Sequence, residues 1–156
     1  VLLVKRPPQE PPFRRILLPL DGTTTAEGII PFAMGITGVA HVHYLLLRVH
    51  PALTPDGRIE SGPVLGQRPD AAVDTYLSTL AGRVGAAGVA VSWRAVVHGS
   101  NADTIIRVAT EENADLIAMT TRGAGGADRV IFGSVADAVV RNASSNVLVL
   151  RPPTTG

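Results

Sequence analysis

Five short apolar runs, separated by stretches of helical spacing, leave this chain few folds to choose from. Arg15 to Leu20, Val42 to Val49, Val89 to Val97, Ala114 to Met119 (its core Asp115 to Met119) and Asn146 to Leu150 read as buried strands. Between them, Thr24 to Val39, Asp70 to Ala87, Asp103 to Asn113 and Ser134 to Asn142 read as helices. The second has Val73, Tyr76, Leu77, Leu80 and Val84 on one face and Gly88 where a glycine cap belongs. Three helix starts carry Ser/Thr-x-x-Asp/Glu, at Thr24 with Glu27, Ser100 with Asp103, and Ser134 with Asp137. Each pattern can satisfy two backbone N–H groups that lack a helical partner. Each follows a strand, which predicts a βαβ series, a parallel sheet and helices on both faces. Pro31 sits inside the first helix and is expected to kink it or shorten its start. The segment from His50 to Pro69 is rich in proline and glycine and reads as a loop.

A chain of 156 residues is expected to form one domain with a sizeable core. Aromatic residues make up only 4%, so Val, Ile, Leu and Ala must build that core. A net charge of +1 offers no electrostatic case for nucleic acid or an anionic membrane as partner. No apolar run approaches a membrane-spanning length, and nothing has the layout of a signal peptide. The absence of cysteine excludes disulfides, cysteine-ligated zinc and thiol catalysis, and a cytoplasmic protein is expected.

Residues 119 to 134 (Met-Thr-Thr-Arg-Gly-Ala-Gly-Gly-Ala-Asp-Arg-Val-Ile-Phe-Gly-Ser) run from the end of the fourth predicted strand to the start of a helix. Gly123, Gly125 and Gly126 allow backbone N–H groups to face a ligand. A helix start adds unpaired N–H groups and about half a positive charge. Together they predict an anion cradle, with phosphate its expected occupant. Asp21 lies at the carboxyl end of the first predicted strand, where open parallel sheets bind ligands, although a turn aspartate can also merely cap. Arg122 and Arg129 flank the glycine loop and could pair with phosphate or stay solvated. His41 and His43 share a face at strand spacing but have no nearby carboxylates in sequence and are read as structural; His98, at a strand end before Gly99, could touch a ligand's edge, but a histidine outside any motif is read as structural too. No Ser-His-Asp set, His-Glu-x-x-His or Gly-x4-Gly-Lys motif is present.

The two ends echo one another. Leu3 to Pro8 reads Leu-Val-Lys-Arg-Pro-Pro, and Leu148 to Pro153 reads Leu-Val-Leu-Arg-Pro-Pro, five of six positions alike. An offset of one domain length suggests a repeat. Residues 1–13 are therefore expected to be the last strand of a preceding copy plus a stiff proline-rich linker, 14–152 the domain, and 153–156 a tail. The leftover strand could lie antiparallel along Asn146 to Leu150, in the same chain or exchanged between two chains.

Residues 14 to 152 resemble a universal stress protein domain. The likeness rests on Ile16-Leu17-Leu18-Pro19-Leu20-Asp21-Gly22-Thr23, on Val96-Val97-His98-Gly99, on Asp115-Leu116-Ile117-Ala118-Met119, and on the stretch from Thr120 onward. ATP-binding members of that family carry Gly-x2-Gly-x9-Gly-Ser/Thr. Gly123, Gly133 and Ser134 keep this spacing, while Thr120 stands at the first glycine position and adds a Cβ there. The resemblance implies an open five-stranded parallel sheet of order 3-2-1-4-5, Rossmann-like and of the adenine nucleotide alpha hydrolase-like type. It implies that Pro19, Leu20 and Asp21 line the adenosine and phosphate side of the first turn, and that Val49 packs near adenine. Met119 and Thr120 would lie under base and ribose. Gly123, Gly133, Ser134, Val135 and Ala136 would wrap the phosphates, and Asp21 would hold Mg²⁺ beside ATP. The implied function is an ATP-binding stress sensor or regulator with little or slow hydrolysis, since no dedicated base is visible. The alternative is a dimeric interaction module that binds no nucleotide. The family also implies pairing of final strands, as a homodimer or a tandem pseudo-dimer.

Overall fold

The computed structural model describes residues 1–6, 13–38, 40–51, 56, 58, 70–98, 100–121 and 133–152. The elements in chain order are β1 (Leu2–Leu3), β2 (Arg15–Leu20), α1 (Thr24–Glu27), α2 (Ile29–Thr37), β3 (His43–His50), α3 (Ala71–Gly85), β4 (Ala90–Val97), α4 (Asn101–Glu111), β5 (Leu116–Thr120), α5 (Ser134–Asn142) and β6 (Asn146–Leu150). They form one six-stranded sheet of order β1-β6-β5-β2-β3-β4. The expected five strands run parallel to one another and keep the expected relative order. The expectation of a five-stranded, purely parallel sheet is nevertheless corrected. β1 joins the β6 edge antiparallel, with Leu2 opposite Leu148 and Leu3 opposite Val147.

Alternation along the strands divides the core in two. Ile16, Leu18 and Leu20 of β2, with Tyr44 and Leu46 of β3, pack under the α1–α2 and α3 face. Leu17, Leu45, Leu47 and Val49 pack with Ile105 and Val108 of α4 and with Ala136 and Val139 of α5. Burial of both faces explains why these runs are apolar throughout rather than alternating. Asp115 registers the centre of the sheet: its Oδ2 accepts from the backbone N–H groups of Arg14 and Arg15, each at 2.9 Å.

Several boundaries move for local reasons. The first helix breaks at Gly28 instead of running from Thr24 to Val39. Pro31 has no N–H to return to the carbonyl of Glu27, so the break falls within the turn before it. The cap of α1 is Thr23, not Thr24; its side chain accepts from Ala26 N, and the Glu27 carboxylate accepts from Tyr76 OH at 3.1 Å. Ser100 caps α4 as expected, accepting from Asp103 N, so that helix starts at Asn101 rather than Asp103. Asp70 caps α3, whose regular turns end at Gly85, and Gly88 follows at φ 81°. β3 runs His43–His50, one residue later than expected at each end, and the fourth predicted strand becomes Leu116–Thr120. His41 therefore shares no strand face with His43; it occupies a turn at φ 64°. The Pro-rich linker, most of His50 to Pro69, the 153–156 tail, and the glycine loop with Gly123, Gly125, Gly126, Arg122 and Arg129 lie outside the described residues.

Candidate functional site

The chain fills one side of the sheet as β2, β3 and β4, then crosses back to place β5 against the other side of β2. Strand order reverses between β2 and β5, and beyond their carboxyl ends the helices diverge, the usual origin of a crevice in such sheets. A cleft of about 340 Å³ opens there. That volume falls within the range of small-molecule sites.

Its floor and walls come from distant parts of the sequence. The end of β2 and its turn contribute Pro19, Leu20 and Asp21, and the end of β3 contributes Leu47, Arg48 and Val49. Met119, Thr120 and Thr121 come from the end of β5, while Gly133, Ser134, Val135 and Ala136 come from the start of α5. Every predicted site residue among the described ones therefore meets in one place; Gly123 is not among them. Ala26, Leu47, Arg48, Asn101, Ile105 and Thr121 also line the cleft and were not predicted. Arg48 and Asp21 are its charged lining residues among those described.

The Asp21 turn is tightly built. Asp21 Oδ1 accepts from Thr23 N at 2.9 Å and from Thr23 Oγ1 at 2.6 Å. Gly22 makes that fold-back possible at φ 85°, a conformation side chains disfavour. The Arg48 guanidinium lies over the turn, with Nη1 donating to Leu20 O at 3.4 Å. Asp21 thus does cap its turn while also lining the cleft. It is the cleft's carboxylate among the described residues, and these contain no cluster of three or more metal-ligating side chains. One carboxylate suits Mg²⁺ held largely by ligand phosphates and water, and does not suit an all-protein cage.

The α5 start differs from the other helix starts that follow strands or loops. Thr23, Asp70 and Ser100 each cap their helices through a side chain. At α5 the N-cap is Gly133, with no side-chain cap bond, and Ser134 is already the first helical residue. The predicted Ser134–Asp137 capping pair is corrected accordingly, and Asp137 instead forms an ion pair with Arg141 at 2.8 Å. Among the described residues no side chain caps this first turn, and N–H groups left so are available to an anion in the cleft.

The histidines lie elsewhere. His43 Nε2 meets Ser92 Oγ at 2.8 Å, and burial together with the Arg15 charge holds its pKa below the usual value, against the Glu112 charge. His98 Nδ1 accepts from Ser100 N at 3.0 Å and steadies the entry to α4. Neither lines the cleft.

Behind the Asp21 turn, Tyr76 joins α3 to α1 through Glu27. Burial, that hydrogen bond and the Glu27 charge push its pKa up to about 12. Burial also raises Tyr44, partly offset by its hydrogen bond with Thr37. A phenol whose folded pKa exceeds its unfolded value of about 10 contributes stability that is complete below pH 10 and is lost as pH rises toward the folded value. Thermal unfolding at pH 9, 10 and 11 is expected to show a falling Tm, with a shallower fall in Tyr76→Phe. Parallel slopes would dismiss the Tyr76 contribution.

Comparison with known proteins gives a consistent picture. A model described as the universal stress protein family matches residues 12–151. A universal stress protein of Methanocaldococcus jannaschii is 39% identical over 70 residues, which are 42% of this chain and 41% of that protein. The match thus spans less than half the length of that curated relative. A universal stress protein solved in complex with cAMP superposes with a TM-score of 0.65 at 21% identity, covering 89% of this chain and 97% of the other. A putative universal stress protein of Pseudomonas aeruginosa gives 0.68 at 21% identity, but 90% of this chain covers only 44% of that one.

Proposed function

The chain belongs to the universal stress protein family, and we propose that it binds an adenine nucleotide, ATP with Mg²⁺, as a cytoplasmic stress-response sensor or regulator. One observation carries the reading. The ends of β2, β3 and β5 converge with a helix start that no described side chain caps, in a single cleft of about 340 Å³. Phosphates would take the Ser134, Val135 and Ala136 N–H groups, with Gly123 and the Ser134 hydroxyl adding donors. The base would lie toward Val49, with Met119 and Thr120 beneath base and ribose, and Pro19, Leu20 and Asp21 closing the other side. Asp21 would hold Mg²⁺, which offsets phosphate charge when bound.

No His lines the cleft, and Asp21 is already engaged by Thr23, so any hydrolysis is expected to be slow. A relative bound to cAMP supports a nucleotide as the ligand class. The pairing partner is a second unit of the same fold. Seating of β1 on β6 supports the tandem form over the homodimer, with residues 1–13 as the final strand and linker of that unit. The double length of the Pseudomonas aeruginosa protein is compatible with this.

Calorimetric titration of MgATP into nucleotide-free protein tests the reading. A micromolar Kd, about −8 kcal/mol, is expected. Arg48→Met should weaken it about fivefold by removing one cation beside an anionic ligand. The second reading, an interaction module that binds no nucleotide, draws on the Thr120 side chain lining the cleft at the glycine position of ATP-binding relatives. Absence of heat from a folded, nucleotide-free sample would select it.

A further inference from the structure

Asn101 reaches the cleft from the first position of α4 and is the carboxamide among its described lining residues. The residue is exposed, and its side chain has no hydrogen-bond partner among the described residues. Other polar side chains of the lining already have work. Asp21 Oδ1 is held by Thr23, and Arg48 reaches over the turn to Leu20 O. The helix itself does not call for asparagine at this position. Ser100 supplies the cap of α4, and alanine is the better helix former.

A short chain of hydrogen bonds fixes where Asn101 starts. His98 N donates to His50 O at 3.0 Å and ties the end of β4 to the end of β3. Ser100 N donates to His98 Nδ1 at 3.0 Å. Ser100 in turn accepts from Asp103 N at Oγ and from Thr104 Oγ1 at its carbonyl, the latter at 2.7 Å. Asn101 therefore follows a serine locked to the end of β3, the strand end that carries Val49. One turn further on, Ile105 shares its helix face. Ile105 packs in one cluster with Leu47 and Val49, and all three line the cleft. The result is an apolar wall with one unpartnered carboxamide on the helix that builds it.

An apolar wall suits the flat face of a base, whereas the base's polar edge needs a partner of matched hydrogen-bonding pattern. Adenine presents an amino donor next to a ring-nitrogen acceptor, and a carboxamide presents an acceptor and a donor side by side. We propose that Asn101 is the base-specificity residue of the cleft, its Oδ1 accepting from the exocyclic amino group of adenine and its Nδ2 donating to the adjacent ring nitrogen. The proposal rests on the reading above, in which an adenine nucleotide binds with its base toward Val49. A purine that lacks the amino group would leave Oδ1 covered and without a donor, which is how a polar site rejects an analogue.

Calorimetric titration of the full chain with two probes, MgATP and the Mg²⁺ complex of purine riboside triphosphate, isolates that amino group. The parent protein is expected to prefer ATP roughly tenfold. Asn101→Ala should weaken ATP by about the same factor and bind the two probes within about twofold of each other, at an unchanged Tm. A preference for ATP that survives in Asn101→Ala would mean that another group reads the amino edge, which overturns the proposal and leaves nucleotide binding intact. Equal binding of both probes by the parent would also overturn it, because the edge would then go unread. Binding of neither probe to folded, nucleotide-free parent would remove the nucleotide reading itself, and the role of Asn101 with it.

Discussion

Gly133→Val is expected to lower MgATP affinity by about 100-fold, near 2.7 kcal/mol, while leaving the fold in place. The glycine has φ −54° and ψ 159°, a conformation that valine adopts without strain. Among the described residues, a Cβ at this position meets no heavy atom within 4 Å, so they leave room for the new side chain. That room belongs to the cleft, and a branched side chain there stands in front of the first N–H groups of α5. Valine is a poorer N-cap than glycine, which should cost about 1 kcal/mol and a few degrees of Tm. Calorimetry and thermal unfolding on the same samples separate the two effects. Retained affinity would mean that the ligand does not approach α5. Lost affinity with a collapsed Tm would mean that Gly133 serves the fold rather than the site.

How far the site could be read from residues alone depends on where each interaction is decided. The ends of β2 and β5 were legible because fully apolar runs bounded by turn residues leave little freedom in strand position. Arg48 was not. It follows Leu45, Leu46 and Leu47 with no motif around it, and only the pairing of β2 with β3 brings its guanidinium over the Asp21 turn. Asn101 and Ile105 were missed for a related reason, since α4 reaches the cleft through a crossover that no local pattern encodes. At α1, three consecutive threonines matched the capping pattern one residue late. The choice falls to Thr23 because the Asp21 carboxylate captures its N–H and hydroxyl. At α5, Gly133 and Ser134 were recognised as a helix start. Which residue carries the cap depends on the glycine's extended ψ, a property of the folded backbone. β1 was legible through the repeated end sequence alone, because two residues in a strand carry no periodicity of their own.

Leu17→Ala is expected to reverse the Gly133→Val pattern, with a large loss of stability and little change in affinity. Leu17 is fully buried in β2, opposite Leu45 of β3 on one side and Ile117 of β5 on the other. Ile117 in turn lies opposite Val147, so four buried residues form one row across the sheet under α4 and α5. Truncating the central member leaves a cavity walled by residues that pairing holds in place, and poor relaxation puts the cost at about 3 to 4 kcal/mol. For a domain of this size that is a Tm lower by roughly 10 °C. The cleft lies one step further along the strand, at Pro19 to Asp21, and its shape depends on strand register, which Asp115 holds through the Arg14 and Arg15 N–H groups. Folded Leu17→Ala should therefore bind MgATP within about threefold of the parent. Ligand at 100 times its Kd should restore about 2.7 kcal/mol of the loss, as it would add to the parent. A Tm fall below about 4 °C would mean that this row repacks. An affinity loss as large as that of Gly133→Val would mean that the floor of the cleft is set by core packing rather than by register.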